Sequence, residues 1–307
     1  MIRIGMVGAG GIARSHADAI KSNPDCSLVC IADINLEKAE QIARDHGAHV
    51  FSDYKNFDCA SMDAVILNLP HYLHREASIY FLERGLGVLC EKPMACTVEE
   101  CDEMIAAAEK SGARLAIGHV QKYYTALERV REIIEEKRFG ALVMIHETRT
   151  KDYVPGRPAW FLSKQMAGGG IAMNLGAHSL DRILYTTGLE VEEIYGITAN
   201  PITGHDVETA AQFLLKLSGG VSASVTLCGT HIPATHESIY YFTDGIVKIV
   251  GDELLIYEDG RFVSHGGTRD LFGRQLTEFL KLLRGEESTV CTPAYGREII
   301  RLLKKII

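Results

Sequence analysis

The sequence lacks long apolar runs and clusters of one charge. No window approaches the roughly 18 uninterrupted apolar residues that a membrane span requires. The 32 Lys and Arg residues are outnumbered by 40 Asp and Glu residues. The densest basic stretch, residues 297–305, has the spacing of a solvated helix face. We therefore expect no membrane span and no nucleic-acid partner.

The sequence also lacks a secretion signal, a C-x-x-C motif and a complete metal-ligand set. Residues 1–5 run directly into a strand pattern, so we expect a cytoplasmic protein. The eight cysteines lie mostly in apolar segments, which is typical of reduced core thiols. His71 with His74, and His231 with His236, have no third ligand at a suitable spacing. We expect no metal site.

The first 120 residues alternate short apolar runs with helical patterns, as parallel βαβ units do. Asn35 is a predicted helix N-cap, and Thr97 with Glu100 forms a predicted capping box whose helix ends at Gly112. The pattern predicts an N-terminal Rossmann domain over residues 1–120. Its expected strands are Ile2–Val7, Leu28–Ala32, Ala64–Leu69, Gly87–Cys90 and Arg114–Gly118.

After residue 120 the pattern changes. A helix over 126–138 precedes a strand over 142–150, and a further helix ends near residue 185. Strand-like runs joined by tight turns then fill residues 191–263, and helices are expected over 271–283 and 293–306. Consecutive strands joined by tight turns predict a broad, mostly antiparallel sheet. We expect an α+β domain over 121–307, with an outer sheet face that forms a homodimer or homotetramer.

A glycine-rich turn follows the first strand. Residues 8–13, Gly-Ala-Gly-Gly-Ile-Ala, fit G-x-G-x-x-A between a strand and a helix, although glycines in any strand-to-helix turn give a similar pattern. Asp33 ends the next strand, where a carboxylate binds ribose hydroxyls and repels a 2′-phosphate. The pattern predicts dinucleotide binding at Gly8, Gly10, Gly11, Ile12 and Asp33, with NAD favoured over NADP.

Two further segments carry candidate catalytic groups. Lys92 follows the strand 87–90, at the sheet edge where ligands bind in open parallel sheets, although a surface lysine in a turn is the simpler interpretation. Asn174 and His178 are i,i+4 on a predicted helix and share one face, with Asp181 one turn further. A histidine on such a helix is often structural.

Together these segments resemble the Gfo/Idh/MocA family, named for glucose-fructose oxidoreductase and inositol 2-dehydrogenase. The resemblance rests on the glycine turn, residues 69–71 with His74, Glu91-Lys92-Pro93, Gly168-Gly169-Gly170 and the His178 helix. It implies that His178 is a general base, whose ordinary pKa near 6.5 suits neutral pH, while Lys92 polarises the same hydroxyl. It also implies cofactor contacts from Leu69, Pro70, His74, Glu91 and Lys92.

The expected activity is hydride transfer between NAD and a hydroxyl-bearing carbon of a sugar, polyol or sugar nucleotide. Two alternatives within the family remain open: a redox-neutral NAD-dependent glycosidase and a non-catalytic NAD-sensing regulator. The chain departs from the family's pattern by having Asn174 where Asp is common, and no Thr precedes Pro70. The expected substrate-binding residues are Asn174, Trp160, Gln121 and Arg157.

The loop around Trp160 is rich in cations. Arg149, Lys151, Arg157 and Lys164 belong either to a solvated loop or to a cationic rim that binds a substrate carboxylate or phosphate. In the second case Trp160 would stack on a sugar or nicotinamide face.

Overall fold

The computed structural model describes residues 1–202, 204–267 and 270–307. The chain forms two compact units: Met1–Val120 with Asp270–Glu298, and Gln121–Arg269 with Ile299–Ile307. The sequence pattern predicted a second domain that contains every residue after 120, whereas Asp270–Glu298 belongs to the first unit. The reason is hydrophobic burial, because Leu276, Phe279 and Leu280 join the apolar core of the first unit.

The first unit contains a parallel sheet, here called sheet A, in the order β3-β2-β1-β4-β5-β6. This order is that of a Rossmann fold, and it reverses between β1 and β4. The predicted parallel sheet is confirmed, and the structure adds the short strand β3. The strands are β1 (Ile2–Val7), β2 (Cys26–Ala32), β3 (His49–Phe51), β4 (Ala64–Leu67), β5 (Gly87–Glu91) and β6 (Leu115–Gly118).

Helices connect these strands, and their ends follow the predicted local signals. The Asn35 side chain accepts a hydrogen bond from the Lys38 N–H, and Thr97 with Glu100 forms the capping box. Gly112 ends its helix in the left-handed conformation, with φ of 70°. The connecting helices are α1 (Ala13–Ser22), α2 (Leu36–Arg44), α3 (His71–Leu82) and α4 (Val98–Ser111). The later helix α8 (Leu271–Arg284) also belongs to the first unit, and α9 (Pro293–Leu303) is divided between the two units after Glu298.

The second unit contains sheet B, in the order β14-β13-β12-β11-β7-β10-β9-β8. Among the described residues of sheet B, only β7 and β10 pair in parallel, so the predicted mostly antiparallel sheet is confirmed. Its strands are β7 (Leu142–Thr150), β8 (Val191–Ala199), β9 (Ala210–Leu217), β10 (Ser222–Cys228), β11 (Thr235–Phe242), β12 (Ile246–Val250), β13 (Glu253–Glu258) and β14 (Arg261–Ser264). The helices before Asp270 are α5 (Thr125–Glu135), α6 (Lys164–Ala167) and α7 (Ala177–Thr187).

Sheet B has one buried and one exposed face, as alternation along β9 shows. Phe213 and Leu215 are buried, whereas Leu214 between them is 63% exposed. A Cβ at Gly176, immediately before α7, would lie 3.0 Å from the Phe213 ring. The buried face of the sheet therefore packs closely on the segment that carries His178.

Candidate functional site

The glycine turn joins β1 to α1, and its glycines have different physical roles. Gly8 has a φ of +93°, and a Cβ there would lie 2.4 Å from the Asn68 carbonyl oxygen. A side chain is therefore excluded by both conformation and space. At Gly10 and Gly11 no atom of the described chain lies within 4 Å of such a Cβ. The exposed backbone of Gly10 and Gly11, just before α1, thus offers room for a pyrophosphate.

Asp33 is held against this turn. One carboxylate oxygen accepts the Ala9 N–H at 2.6 Å, and the other accepts the Asn35 N–H at 2.7 Å. Each carboxylate oxygen has two acceptor sites, so both oxygens retain capacity for ribose hydroxyls. Asp33 is half-buried, and its charge lies beside the turn where the glycine motif predicts the dinucleotide.

Lys92 immediately follows the fully buried strand β5 and is half-buried. The preceding Glu91 turns its carboxylate toward α1, where Oε1 lies 2.8 Å from Nε2 of His16. Its other oxygen accepts the Lys92 N–H at 3.1 Å. Burial opposes ionisation of Glu91, but His16 and the charge of Lys92 hold its pKa below the ordinary value. Glu91 therefore anchors the backbone that carries Lys92.

His74 connects the loops that follow β4 and β5. Its Nδ1 lies 2.9 Å from the Pro93 carbonyl oxygen, and its Nε2 lies 2.8 Å from the Leu69 carbonyl oxygen. The ring is fully buried, and burial lowers its pKa against the effect of both carbonyls. Because both ring nitrogens face backbone, the geometry favours a positioning role for His74 over direct cofactor contact. Leu69 and Pro70 are half-buried just before α3.

In the second unit, Asn174 and His178 occupy one continuous helical segment. The sequence pattern predicted a regular α-helix, but residues Ala172–Gly176 form a π-helical turn that leads into α7. The prediction that Asn174 and His178 have regular α-helical i,i+4 geometry is therefore wrong. Such wide turns often lie at functional sites. Asn174 is buried and His178 is half-buried.

Glu208 fixes the start of this segment, a role that the sequence analysis missed. Its Oε1 accepts the N–H groups of Gly170 at 2.7 Å and Ala172 at 3.1 Å. A Cβ at Gly170 would lie 2.0 Å from the Glu208 carbonyl oxygen. Nζ of Lys304 also donates to the Gly168 carbonyl at 2.6 Å. The glycine triplet is thus explained by close packing before the helix.

A buried polar network lies between β7 and α7. Oε1 of Gln121 accepts hydrogen bonds from Arg149 at 3.0 Å and Arg182 at 2.6 Å. Oε1 of Glu147 accepts from Arg149 at 2.9 Å and lies 3.0 Å from Nε2 of His236. Burial opposes ionisation of Glu147, but the Arg149 charge and His236 lower its pKa to about 2. The carbonyl of Gln121, an expected substrate ligand, is therefore already bound by two guanidinium groups.

Ser179, the residue next to His178, belongs to this network. Its hydroxyl accepts from Arg149 Nε at 3.1 Å and donates to Glu147 at 3.3 Å. Ser238 also donates to Glu147 and accepts from Arg182 at 3.1 Å. No short sequence motif marks Glu147, Arg182, Ser179 and Ser238, so these residues were not predicted.

Arg157 and Trp160 lie on the loop after β7. The Arg157 guanidinium lies 4.2 Å from the Phe161 ring centroid and 4.7 Å from that of Tyr153. Its Nε donates to the Tyr153 carbonyl at 3.0 Å. Trp160 packs against Phe161 with ring centroids 4.6 Å apart. Arg157 and Trp160, two of the expected substrate residues, therefore both contact the Phe161 ring.

The described residues contain no group of three His, Cys, Asp or Glu side chains suited to a metal ion. His231 instead pairs with Asp152 at 3.3 Å. Among the same residues, no helix is both long and apolar enough to cross a membrane.

Two family models match the chain. The model of the oxidoreductase family with an NAD-binding Rossmann fold matches residues 2–119, and the GFO/IDH/MocA C-terminal domain matches residues 127–253. The expected NAD-binding class of the N-terminal domain is thereby confirmed.

Curated relatives include dehydrogenases of different substrates. A 1-carboxy-3-chloro-3,4-dihydroxycyclohexa-1,5-diene dehydrogenase of Comamonas testosteroni is 30% identical over 74% of this chain and 58% of its own length. D-glucoside 3-dehydrogenase of Escherichia coli K12 is 32% identical over 61% of this chain and 54% of its own length. The match thus spans less than two thirds of the length of either relative.

A solved structure matches over nearly the whole chain. The WlbA dehydrogenase from Bordetella pertussis, crystallised with NADH and UDP-GlcNAcA, is 25% identical with a TM-score of 0.86. The match covers 99% of this chain and 94% of that chain. The likeness therefore includes both units, and with the two family matches it shows that this chain belongs to the Gfo/Idh/MocA family of NAD-binding oxidoreductases.

Proposed function

We propose that the protein is an NAD-dependent oxidoreductase that moves hydride to or from a hydroxyl-bearing carbon of a sugar, polyol or sugar nucleotide. One observation carries the proposal. The glycine turn with Asp33 and the anchored Lys92 follow parallel strands of sheet A, at its carboxyl edge. Ligands of open parallel sheets bind at this edge.

The residues of the first unit fit the cofactor. Gly10 and Gly11 leave backbone accessible at the start of α1, and Asp33 retains acceptor capacity for ribose. NAD supplies the hydride acceptor when bound. Glu91 and His74 hold the two loops on which Lys92, Leu69 and Pro70 lie.

The protein's own groups then manage the proton and the developing charge on oxygen. In the oxidative direction, the substrate carbon loses hydride while its hydroxyl loses a proton and becomes a carbonyl. We assign proton acceptance to His178 and polarisation of the same oxygen to Lys92. Asn174, on the same helical segment as His178, is assigned to a substrate hydroxyl.

The named relatives support the substrate class. D-glucoside 3-dehydrogenase acts on a sugar by its name, and the WlbA structure holds a nucleotide sugar.

The test is a dehydrogenase screen of the purified protein. Inositols, aldoses, glycosides and nucleotide sugars are each offered with NAD or NADP, and the reduced nicotinamide is followed by absorbance, with Lys92→Ala as control. We expect at least one substrate to reduce NAD in the wild type and not in the variant. Glycoside cleavage without net NADH would instead indicate the redox-neutral glycosidase, and NAD binding without any turnover would indicate the regulator.

We also propose a homo-oligomer formed through the exposed face of sheet B. Tyr195 and Ile197 on β8 are 65% and 71% exposed, and Leu214, opposite Tyr195 on β9, is 63% exposed. A contiguous apolar face of this kind marks an interaction surface. Light scattering after gel filtration tests the proposal, since a monomer at micromolar concentration would contradict it.

A further inference from the structure

The loop after β7 holds two cations, Lys151 and Arg157, in a defined arrangement. The Lys151 N–H donates to the Cys228 carbonyl at 3.0 Å, and the Tyr153 N–H donates to the Gly229 carbonyl at 3.3 Å. The Arg157 N–H closes a turn onto the Val154 carbonyl at 3.2 Å. Backbone hydrogen bonds therefore fix both ends of the segment that separates the two cations.

The Arg157 guanidinium is immobilised within this loop. The rings of Tyr153 and Phe161 lie beside it, and its Nε is used by the Tyr153 carbonyl. These contacts leave the two terminal NH₂ groups as donors, in the planar fork that matches a carboxylate or phosphate. Because the guanidinium is already held in place, less side-chain entropy is lost when an anion binds.

The nearby carboxylates are bound to other groups. Asp152 pairs with His231, Asp206 accepts the Lys164 N–H at 2.7 Å, and Glu208 accepts the N–H groups that begin the His178 segment. Within the described part of the chain, neither Lys151 nor Arg157 forms an ion pair. By contrast, exposed arginines elsewhere, such as Arg3 and Arg138, contact a carboxylate.

The two cations also repel each other. Burial and the Arg157 charge both lower the pKa of Lys151, and burial lowers the pKa of Arg157. Arg157 is half-buried and Lys151 lies at the surface, and like charges in one loop raise the free energy of the empty site. A bound anion removes this repulsion, so the arrangement favours an anionic ligand over a neutral one.

We propose that Arg157 and Lys151 form an anion subsite and that the substrate is a sugar bearing a carboxylate or a phosphate. The proposal rests on the proposed function in one respect, because it takes Trp160 and Arg157 to belong to the substrate site. Of the four cations around Trp160 that the sequence pointed to, the proposal keeps Lys151 and Arg157. Arg149 is buried with Glu147, and Lys164 lies on the separate helix α6 rather than on the segment between Lys151 and Arg157.

The test measures binding separately from turnover. Calorimetric titrations use NAD-saturated protein and three probes for each of the gluco and galacto configurations: the neutral hexose, its uronate and its 6-phosphate. The uronate and phosphate arms identify which anion is preferred. We expect one of these anions to bind at least about tenfold more tightly than the neutral hexose, equivalent to about 1.4 kcal/mol.

Three substitutions assign this preference. Arg157→Gln and Lys151→Gln should each lower the affinity for the anion far more than the affinity for the neutral hexose, and so remove most of the preference. Lys164→Gln removes an equal charge from the same region of the chain and should leave the preference intact. Arg157→Lys retains the charge without the fork and should recover part of it. Thermal melts check that each variant is folded.

Equal affinity for neutral and anionic probes, an equal loss for both in Arg157→Gln, or no binding by any probe would overturn the subsite. If anions are preferred in an Arg157-dependent way but no substrate reduces NAD, the subsite is retained and the proposed dehydrogenase function is overturned. Turnover of neutral sugars that Arg157→Gln leaves unaffected, without any anion preference, would retain the dehydrogenase function and remove the subsite.

Discussion

The two units bury their polar groups in different places. In the first unit, β4 is completely apolar and fully buried, and the buried pair Glu91–His16 lies where β5 ends. In the second unit, the buried carboxylate of Glu147 lies within β7, two residues from the buried Arg149. Within the strands of sheet A the buried polar side chain, Glu91, lies at a strand end, whereas in sheet B Glu147 and Arg149 lie inside a strand.

This difference suggests separate roles for the two kinds of charged residue: ligand binding at strand ends and stability within strands. A charged group at a strand end is open to a ligand, as we propose for Asp33 and Lys92. A charged group in the middle of a strand must be satisfied by protein, as Glu147 is by Arg149 and its other partners. Substitutions at the two kinds of position should therefore affect different measurements.

The largest expected effect is loss of stability in Glu147→Gln. The neutral amide leaves the buried cations Arg149 and Arg182 without their carboxylate. Breaking a buried charge pair costs about 3–5 kcal/mol, and denaturant unfolding monitored by hydrogen exchange of β7 measures the loss.

Glu193→Gln is the matched control, because Glu193 is an exposed carboxylate of β8 that contacts Lys216. We expect no measurable change for the control. An equally small change in Glu147→Gln would remove the distinction between mid-strand and exposed charges.

We expect His236 to make the free energy of unfolding depend on pH. Burial lowers its pKa to about 4 from 6.5, although Glu147 opposes this. Between pH 6.5 and 4 the unfolded chain binds a proton that the folded chain does not, so stability should fall as pH falls through this range, by up to about 3 kcal/mol. His236→Gln should flatten this slope in unfolding curves measured at several pH values.

His265→Gln, at a half-exposed position near Glu258, is the control and should retain the slope. The lowered pKa of Glu147 has a separate window. Its contribution is complete above the ordinary carboxyl pKa near 4.5 and is lost as pH falls toward 2. A slope between pH 6.5 and 4 that persists without His236 would assign it to another group.

The sequence predicted those parts of the molecule that depend on local order. The apolar strands of sheet A, the caps at Asn35 and Thr97, and the glycine turn all follow from short-range chemistry. The return of α8 to the first unit was not predicted, because an amphipathic pattern indicates a buried face without identifying its partner. The Glu147 network was also missed, since alternation along a strand gives no sign that a charged side chain points inward.

Substitution of one proposed catalytic residue in each unit should reduce turnover to a similar extent. Lys92→Ala and His178→Ala should each reduce kcat by about 10²-fold or more while NAD still binds, as expected for a lost acid–base or polarising group. Steady-state kinetics with the substrate found in the screen, together with NAD titration, measures this. Near wild-type turnover in either variant would remove that residue from the mechanism, and with it that unit's proposed share of the chemistry.

The smallest expected effect concerns Asp33, where a strand-end charge should change cofactor choice without changing the fold. The carboxylate is fixed beside the glycine turn by the N–H groups of Ala9 and Asn35, so it cannot turn away from a 2′-phosphate without losing both bonds. We expect NAD to bind at least about tenfold more tightly than NADP, or about 1.4 kcal/mol. Asp33→Asn keeps an acceptor oxygen and removes the charge, so it should reduce this ratio toward one. Glu40→Gln, at an exposed position on α2, should leave the ratio unchanged. Calorimetric titration with both cofactors decides the matter: equal or reversed affinities in the wild type would mean that the Asp33 charge does not face the 2′ position.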